Sequence, residues 1–331
     1  MPTLLREVPV RPLAVQRGSA PRSSRDAVRA VVLGDLMLDV VVAPALPPER
    51  GTDVPGRVLL RQGGSAATTA RWLARLGVRT SFVTAIGRDG PGRALAARVS
   101  ADGVRLRAVR VPGVPTGRIA VVLDPSGERT FVADRGAADR LAPSDLRPAW
   151  FDRTDVLHLP AYSLLTRPLA DAARRAVGLA RDRGAIVSVD LASSGPLLAA
   201  GRGAARALVD ELAPDILFAT AGEARALVAG RRIDVLAALA PIAVVKRGSE
   251  GASVLLRDGD AVLRFDVATT PLRATDTTGA GDAFDAGFLA AWLAARQAGT
   301  PRAAAVQRAT MAGHRAAARQ LASPPGELSF A

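Results

Sequence analysis

Residues 276–284 read DTTGAGDAF, and residues 285–292 continue as DAGFLAAW. Phe284, Phe288 and Trp292 recur every four residues, a spacing that predicts one apolar face of a helix. The helix is expected to begin near Gly281, so its N-terminus faces the glycine turn. Unpaired backbone N–H groups and the positive end of the helix dipole meet at such a terminus and favour an anion.

The residues of this turn suit a phosphate group. Gly279, Ala280 and Gly281 are small enough for a phosphate to approach the backbone closely, and Asp282 adds a carboxylate in the first helical turn. In phosphoryl transfer, a carboxylate can accept the proton of a hydroxyl group while N–H groups hold the phosphoryl oxygens. The alternative is an ordinary helix capped by Asp after a glycine turn. The stretch is not a Walker loop, because no Gly-Lys-Ser/Thr follows it.

Composition narrows the classes of protein to consider. The 331 residues, 49% of them hydrophobic, suffice for one large α/β domain or two modest ones. No run of about 18 uncharged apolar residues is present, so we expect no membrane span. The chain has no Cys, which excludes disulfides and thiolate metal sites and is consistent with a cytoplasmic protein.

The net charge is 44 − 31 = +13, but the Arg residues are scattered beside Asp or Glu, so we expect no nucleic-acid partner.

The chain divides into two segments of different pattern. Residues 1–29 hold several Arg among Pro and Ser without a signal-peptide core, and we interpret them as a flexible extension. From Ala30 onward, short β-branched runs alternate with Ala-, Leu- and Arg-rich stretches of helical period. This alternation predicts an α/β fold in which helices cover both faces of a mainly parallel sheet. The predicted strands are residues 30–33, 80–85, 155–159, 185–189, 215–218 and 242–246.

Two places break this alternation. Residues 38–43 and 58–60 flank a Pro-rich turn, and residues 117–123 and 129–133 flank the turn DPSG at 124–127. We expect these segments, near 38–62 and 117–133, to be extra strands outside the main sheet that form a small flap.

Residues 276–284, with their AGF continuation, resemble the second signature of the ribokinase-like (PfkB) carbohydrate kinases. Other segments match the family in order from about residue 30 to the C-terminus. The resemblance implies a ribokinase-like domain over residues 30–331, with a doubly wound, mainly parallel sheet, helices on both faces and a small β lid. It also implies ATP and Mg²⁺ as cofactors, and a small-molecule sugar or nucleoside as the acceptor of the phosphoryl group.

The resemblance also assigns roles within the signature. Asp282 falls on the family's catalytic base, and Gly279, Ala280 and Gly281 fall on its anion hole. Asp276 and Thr278 occupy positions that in ribokinase-like members help hold a monovalent cation, usually potassium (K⁺), which not all members use.

A second match covers residues 62–77, QGGSAATTARWLARLG. Taken alone, this stretch predicts a glycine pair followed by an Ala-rich helix. In the family, the glycines that correspond to Gly63 and Gly64 flank the acceptor site and act as a hinge for lid closure. Thr68 stands where many members carry an Asn that contacts sugar hydroxyls, and a hydroxyl offers fewer fixed hydrogen bonds than an amide.

Two further residues are expected to reach the acceptor. Asp39 follows the strand-like stretch VVLGDLML and matches a family aspartate that binds adjacent hydroxyls; the alternative is a turn or cap residue. Met37 replaces a polar residue common in ribokinases, which argues against plain ribose as the acceptor. Arg135, after the second pair of flap strands, is predicted to contact the substrate from the lid, with a solvated loop as the alternative.

Two segments resemble the nucleotide side of the family. Residues 217–225, LFATAGEAR, resemble an Asn-x-x-Glu segment that organises magnesium through water, with Glu223 retained and Thr220 replacing the Asn. The alternative for Glu223 is an ordinary first-turn helix residue. Residues 244–251, VVKRGSEG, resemble the turn along the nucleotide, which implies that Lys246, Gly248 and Gly251 bind the cofactor. A strand-end charge is the alternative for Lys246.

These patterns predict ATP-dependent phosphorylation of a hydroxymethyl group of a small sugar. A nucleoside kinase of the same fold is the first alternative; the aromatic content of only 4% favours sugars, because few side chains are available to stack on a base. A catalytically degenerate nucleotide- or sugar-binding protein is the second, motivated by Met37, Thr68 and Thr220. The resemblance also implies a homodimer formed through the lid.

Overall fold

The structure is a computed structural model that describes residues 27–123, 129–230, 232–272, 274, 276–323 and 326–328. Most of the predicted extension, residues 1–26, and the predicted turn at 124–127 lie outside the described residues. Val28 is buried in the core and the first strand begins at Arg29, so ordered packing starts just before the predicted boundary.

A large, mostly parallel sheet organises the described chain. Its strand order is β13-β12-β11-β10-β9-β8-β1-β4-β5. The strands from β11 to β5 in this order pair in parallel, whereas β12 and β13 join one edge by antiparallel pairing. The strands are β1 (Arg29–Leu33), β4 (Arg79–Gly87), β5 (Arg105–Val111), β8 (Val156–Pro160), β9 (Ile186–Asp190), β10 (Ile216–Thr220), β11 (Ile242–Lys246), β12 (Ala252–Asp258) and β13 (Ala261–Val267).

Helices cover both faces of this sheet, as the sequence predicts. Neighbouring residues of β1 point to opposite faces: Val32 packs in one apolar core with α1, α2, α7 and α8, and Val31 packs in the other with α3, α5 and α6. The helices are α1 (Ser65–Arg75), α2 (Gly90–Ala101), α3 (Leu169–Arg181), α4 (Ser194–Leu198), α5 (Arg202–Leu212), α6 (Ala221–Val228), α7 (Ala280–Gln297) and α8 (Arg302–Ala322). In the described part of the chain, no helix is both long enough and apolar enough to cross a bilayer.

The sequence analysis did not predict β5, β12 and β13. The strands β5 and β13 form the two edges of the sheet, and β5 carries Arg105, Arg107 and Arg110 among its apolar residues. Edge strands keep one side exposed and tolerate charges, so they lack the continuous β-branched run that identified the central strands.

The remaining strands form a second, four-stranded sheet in the order β3-β2-β6-β7. We call it the small sheet; it corresponds to the predicted flap. Its strands are β2 (Met37–Pro44), β3 (Gly56–Gly63), β6 (Arg118–Leu123) and β7 (Arg129–Asp134). The chain passes from β1 into β2, and from β3 through Gly64 into α1, so the small sheet is attached where the large sheet meets α1.

The parallel topology brings polar residues to one edge of the large sheet. Asp35 follows β1, and Asp190, Thr220 and Lys246 end β9, β10 and β11. Because the carboxyl ends of parallel strands lie at the same edge, these residues meet there, and ligands of open α/β sheets bind at this edge.

Candidate active site

The glycine turn before α7 adopts the predicted geometry. Gly279 is the N-cap residue with φ of 76°, a left-handed conformation that suits Gly, and α7 begins at Ala280. A Cβ atom on Gly279 would lie 3.0 Å from Cγ2 of Thr68, so α1 packs tightly against the turn. The N–H groups of the first turn of an 18-residue helix are thereby directed at the carboxyl edge of the sheet.

Asp282 lies in the first turn of α7, half-buried, and faces α1. Ser65 Oγ donates a hydrogen bond of 2.6 Å to its Oδ1. Burial raises the pKa of Asp282 to about 7, the hydrogen bond from Ser65 opposes the shift, and the charge of Asp190 adds to it. A carboxylate that titrates near neutral pH is well matched to accept a hydroxyl proton.

Lys246 is fixed behind the glycine turn by two buried carboxylates. Its Nζ donates to Asp285 Oδ1 at 3.0 Å and to Asp190 Oδ2 at 3.3 Å. A Cβ on Gly281 would lie 3.4 Å from this Nζ, so the ammonium touches the start of α7. Burial alone lowers the pKa of Lys246, but Asp190 and Asp285 outweigh it and hold the pKa above its ordinary value. The lysine is therefore charged, and its charge lies beside the anion pocket.

Glu223 forms a capping box at the start of α6. Its Oε2 accepts a hydrogen bond of 2.8 Å from Thr220 N, and Thr220 Oγ1 accepts one of 3.2 Å from Glu223 N. Burial and the nearby charge of Asp190 raise the pKa of Glu223. The structure thus gives Glu223 its helix-capping alternative and also places it in the acidic surroundings of Lys246.

The carboxylates around Lys246 suit magnesium in type, because Mg²⁺ prefers oxygen ligands and retains several waters. Asp190 Oδ1 is buried and has no hydrogen-bond partner in the part of the chain that the structure describes. Across these described ranges no group of three or more His, Cys, Asp or Glu is assembled for a metal. The unpartnered Asp190 oxygen therefore fits a magnesium ion held through water and the phosphates of a nucleotide, while the role of Glu223 stays a prediction.

A cleft of about 740 Å³ opens beside the start of α7. It brings together the predicted nucleotide residues Lys246, Gly248 and Gly251 with Ala280 and Gly281 of the anion hole. Gly248 has φ of 59° at the start of a short turn. Gly251 also serves the fold, because a Cβ there would lie 2.2 Å from the Val267 carbonyl oxygen.

His314 of α8 is part of the same cleft, although no sequence motif had predicted a role for it. Its ring lies edge-on to Phe284, with centroids 5.1 Å apart, and its Nε2 is 3.2 Å from the Val267 carbonyl oxygen. Burial lowers its pKa, so the ring is neutral at neutral pH. The other histidine, His158, is fully buried next to Ser188 and takes no part in the cleft.

Asp39 and Gly63 meet on neighbouring strands of the small sheet. A Cβ on Gly63 would lie 1.8 Å from Asp39 Oδ1, so only Gly leaves room for this carboxyl group. Asp39 is buried, and its Oδ1 has no hydrogen-bond partner among the residues described. Burial raises the pKa of Asp39 to about 7, with Asp35 adding to the shift and Arg61 opposing it. A buried acceptor atom without a partner is a natural position for a ligand hydroxyl.

Arg135 approaches the same region from the end of β7. Its Nη1 lies 3.5 Å from Asp35 Oδ2 and its Nε donates to Asp139 at 2.6 Å, while the guanidinium lies 5.4 Å from the Tyr162 ring centroid. Arg135 Nη2 is buried, and the described ranges provide no hydrogen-bond partner for it. Arg135 is therefore not a solvated loop residue, and its contact with a substrate stays a prediction.

Gly64 and Thr68 join the small sheet to the glycine turn. Gly64 has φ of 97° and precedes α1; a Cβ there would lie 2.5 Å from the Asp35 carbonyl oxygen. Thr68 Oγ1 donates to the Gly64 carbonyl oxygen at 3.0 Å, so its hydroxyl proton is engaged within α1. Thr68 can still accept a hydrogen bond, but its observed contact is the methyl packing against Gly279.

Asp276 and Thr278 form the loop before the glycine turn. Asp276 Oδ1 accepts a hydrogen bond of 2.9 Å from Thr278 N, and its Oδ2 accepts one of 2.7 Å from Arg61 Nη1. Gln320 Nε2 donates to the Thr278 carbonyl oxygen at 3.0 Å, and Gln320 Oε1 accepts from Trp72 Nε1 at 2.8 Å. The loop is thus fixed from the small sheet, from α1 and from α8.

Sequence reasoning missed several residues of this site. They lie in the right segments but carry no signal by themselves: Asp285 sits in the quoted helix, Ser65 follows the paired glycines, and Asp190 ends a predicted strand. A buried-face position occupied by Asp285, where the helical period expects an apolar residue, was the one available clue. The residues missed are Asp35, Arg61, Ser65, Tyr162, Asp190, Asp285, His314 and Gln320.

A second cavity, about 480 Å³, lies at the amino ends of the large-sheet strands, next to the end of α7. Ile186, Ile216 and Ile242 form its floor, and it shares no residue with the cleft beside Gly281.

The sequence and the fold are both similar to those of known carbohydrate kinases. Residues 28–326 match the family described as pfkB family carbohydrate kinase. An ATP-dependent ribose-1-phosphate kinase of Halopiger xanaduensis is 33% identical over 284 residues, which cover 80% of this chain and 85% of the relative. A fructokinase of Klebsiella pneumoniae is 31% identical over 269 residues, covering 78% of this chain and 82% of that one.

In fold, the chain is similar to a double mutant of Vibrio cholerae fructokinase that was solved with fructose, ADP and a potassium ion. The TM-score is 0.73 at 23% identity, with 92% of this chain and 94% of that chain covered. The family match spans most of the sequence, and the fold agrees with it. The chain therefore belongs to the pfkB family of carbohydrate kinases.

Proposed function

We propose that the protein transfers the terminal phosphoryl group of ATP to a hydroxymethyl group of a small sugar. One observation carries this proposal: Asp282 and the Gly279 turn share the first turn of α7, with the nucleotide cleft on one side and Ser65 of α1 on the other. A hydroxyl group held beside Asp282 would thus face a phosphate held by the helix N-terminus.

In the proposed reaction, Asp282 takes the proton of the acceptor hydroxyl as its oxygen attacks the phosphorus in line. Ser65 orients the carboxylate through its hydrogen bond to Oδ1. The N–H groups at Gly279, Ala280 and Gly281 receive the phosphoryl oxygens, and Lys246 adds a fixed positive charge. Closure of the small sheet over the hinge at Gly63 and Gly64 would exclude water and prevent simple hydrolysis of ATP.

Magnesium, when bound, would neutralise charge on the phosphate chain. We propose that Glu223 holds it through water, supported by the acidic surroundings that Glu223 and Asp190 share. Gly248 and Gly251 would let the nucleotide approach the backbone on the far side of Lys246. The family resemblance alone assigns a monovalent cation to Asp276 and Thr278, and Arg61 already pairs with the Asp276 carboxylate.

On the acceptor side, Asp39 would bind adjacent hydroxyls through its buried oxygen, and Arg135 would donate from the lid through Nη2. Thr68 would supply at most a lone pair and a methyl surface. Met37 is fully buried and contacts Gly117, so it shapes the site only indirectly. A small polyhydroxyl acceptor suits these groups better than a nucleoside, because Tyr162 is the aromatic side chain that borders this group of residues, and its ring already packs on Arg135.

The decisive experiment is an assay of ADP release with pentoses, hexoses, keto-sugar acids and nucleosides. We expect one sugar to be phosphorylated and Asp282→Asn to lower turnover by about two to four orders of magnitude, with ATP affinity nearly unchanged. The exposed Asp182→Asn, at the end of α3, is the matched control. Phosphorylation of nucleosides alone would favour the nucleoside kinase. ATP binding without any product would favour the degenerate binding protein.

Two further properties remain proposals. The absence of Cys is the basis for proposing a cytoplasmic location. The family resemblance is the basis for proposing a homodimer through the small sheet, whose strands expose Val58, Phe131 and Val132. Neither a nucleic acid nor a membrane is part of the proposed function.

A further inference from the structure

The carboxylate of Asp276 already has a cationic partner from within the chain. Arg61 Nη1 lies 2.7 Å from its Oδ2, and the two side chains are mostly buried, with 22% and 25% of their surfaces exposed. Its Oδ1 accepts a hydrogen bond from Thr278 N, in the residue directly before Gly279 and the rest of the predicted anion hole. Arg61 therefore acts on the glycine turn through one carboxylate.

The fold holds Arg61 in this position. Arg61 lies in β3, where it pairs with Asp39 of β2. The carbonyl oxygen of the preceding residue, Leu60, accepts a hydrogen bond of 2.7 Å from Leu328 N near the C-terminus, and Leu328 is itself buried. Strand β3 is thus held by its pairing with β2 and by the hydrogen bond from Leu328. From this strand, the Arg61 side chain reaches the loop before α7.

A monovalent cation does not fit this carboxylate well. The ion would have to approach an oxygen that already accepts a hydrogen bond, and it would come close to a guanidinium of the same charge sign. The Arg61 guanidinium, 2.7 Å from Oδ2, already balances the charge of the Asp276 carboxylate.

We propose that Arg61 takes the place of a monovalent cation in this chain, so that the glycine turn is held ready for a phosphate without potassium. The inference rests on the proposed function, because it concerns the same anion hole. A guanidinium on the chain is always charged and needs no binding equilibrium, whereas a dissolved ion must first bind. The kinase would therefore work equally well in any monovalent salt.

The test compares potassium, sodium and choline chlorides at equal ionic strength, with ATP supplied free of potassium. It uses wild type, Arg61→Ala, Arg61→Gln and the control Arg57→Ala. Arg57 lies four residues earlier on the same strand and is exposed. Two readouts are taken in each salt: the rate of phosphorylation, and the affinity for Mg·ADP by calorimetry, which needs no acceptor.

We expect wild type and Arg57→Ala to give equal rates and affinities in the three salts. In choline, Arg61→Ala and Arg61→Gln should phosphorylate more slowly and bind Mg·ADP more weakly than wild type. Potassium should raise their rate and affinity by about tenfold or more, the scale of one hydrogen bond to a charged group. A merely structural role for Arg61 would produce a loss that potassium does not restore.

The proposal is overturned if potassium activates the wild type several-fold, or if both Arg61 variants respond to the salts as wild type does. Should Arg61→Ala fail to fold, Arg61→Gln and the wild-type comparison still decide the matter. If no acceptor is phosphorylated in any salt, the proposed function fails, while the Mg·ADP affinities still test the role of Arg61.

Discussion

Lys246 Nζ and Asp285 Oδ1 lie 3.0 Å apart beneath the start of α7, and Asp285 is completely buried. Burial raises the pKa of Asp285 well above its ordinary range, with Asp190 adding to the shift and Lys246 opposing it. Removal of one partner of a buried pair leaves an uncompensated charge, whereas replacement of both by apolar residues is often tolerated. Single and double variants of Lys246 and Asp285 therefore distinguish a role of this pair in stability from a role in ligand binding.

We expect Asp285→Asn to weaken binding of Mg·ATP by about 10- to 100-fold, the worth of a hydrogen bond to a charged group, because Lys246 loses the nearer of its two carboxylate partners. The double variant Lys246→Met, Asp285→Leu should regain thermal stability but not ATP affinity. Calorimetry with ATP and with adenosine is the measurement, and adenosine, which lacks phosphates, serves as the control ligand. Recovery of ATP affinity in the double variant would show that the pair serves only the fold.

The raised pKa of Asp282 predicts how activity depends on pH. Because the base must be ionised, kcat should rise as the pH increases through about 7. The measurement is a pH–rate profile. In the control variant Asp282→Asn, the residual rate should not change with pH in this range. A wild-type rate that stays constant down to about pH 5 would contradict Asp282 as the base.

The raised pKa of Asp282 also predicts that the folded protein becomes less stable as the pH rises. The folded chain holds the Asp282 proton more tightly than the unfolded chain between about pH 4 and about pH 7, so stability falls as the pH rises through this window. Asp282→Asn has no such loss, and it should raise the melting temperature more at about pH 8 than at about pH 5. An equal effect at both pH values would contradict the shift.

Because Gly63 lies against the Asp39 carboxyl group, we expect one added methyl group at position 63 to lower activity strongly. In Gly63→Ala the new Cβ would overlap Asp39 Oδ1, and the displaced carboxyl should lower kcat/KM for the acceptor by about 100-fold, the scale of a 1 Å misplacement. Mg·ADP affinity should stay unchanged. Gly178→Ala is the control: it lies inside α3 with open space around it and should gain about 0.5–1 kcal/mol of stability. Normal acceptor kinetics in Gly63→Ala would remove Asp39 from the acceptor site.

Gln320 connects three elements that surround the glycine turn. Gln320→Met leaves the buried Trp72 N–H without its acceptor, so the free energy of unfolding should fall by about 1–3 kcal/mol. Because Gln320 also holds the Thr278 carbonyl, nucleotide affinity should fall as well. Urea unfolding and Mg·ADP calorimetry measure the two effects. Lost stability with unchanged affinity would confine Gln320 to a packing role.

The exposed apolar residues of the small sheet predict that the protein is a homodimer. Val58, Phe131 and Val132 expose 61%, 56% and 63% of their surfaces, which is unusual for apolar residues of one sheet. We expect a homodimer by light scattering, and a monomer in Val58→Asp, Val132→Asp. Met311→Gln, an exposed position of α8, is the control that should remain dimeric. A wild-type monomer at all concentrations would contradict the lid dimer.

The α/β class, the position of the small sheet and the start of α7 were predictable because each depends on local order along the chain. Central strands are continuous β-branched runs, and the helix after Gly279 has an apolar period of its own. The edge strands β5 and β13 were not predictable in this way, because a strand with one exposed side carries charged residues and lacks that run.

The sequence by itself therefore determined the fold class and the position of Asp282 beside the glycine turn, since spacing alone places these groups on one helical turn. Only the tertiary structure decided the partners of the site. Ser65 and Asp282 are 217 residues apart in the chain, and Arg61 and Asp276 are 215 apart. The physical reason is that a charge or hydroxyl acts through space over a few ångströms, and no periodicity along the chain records which distant strand end or helix start will supply it.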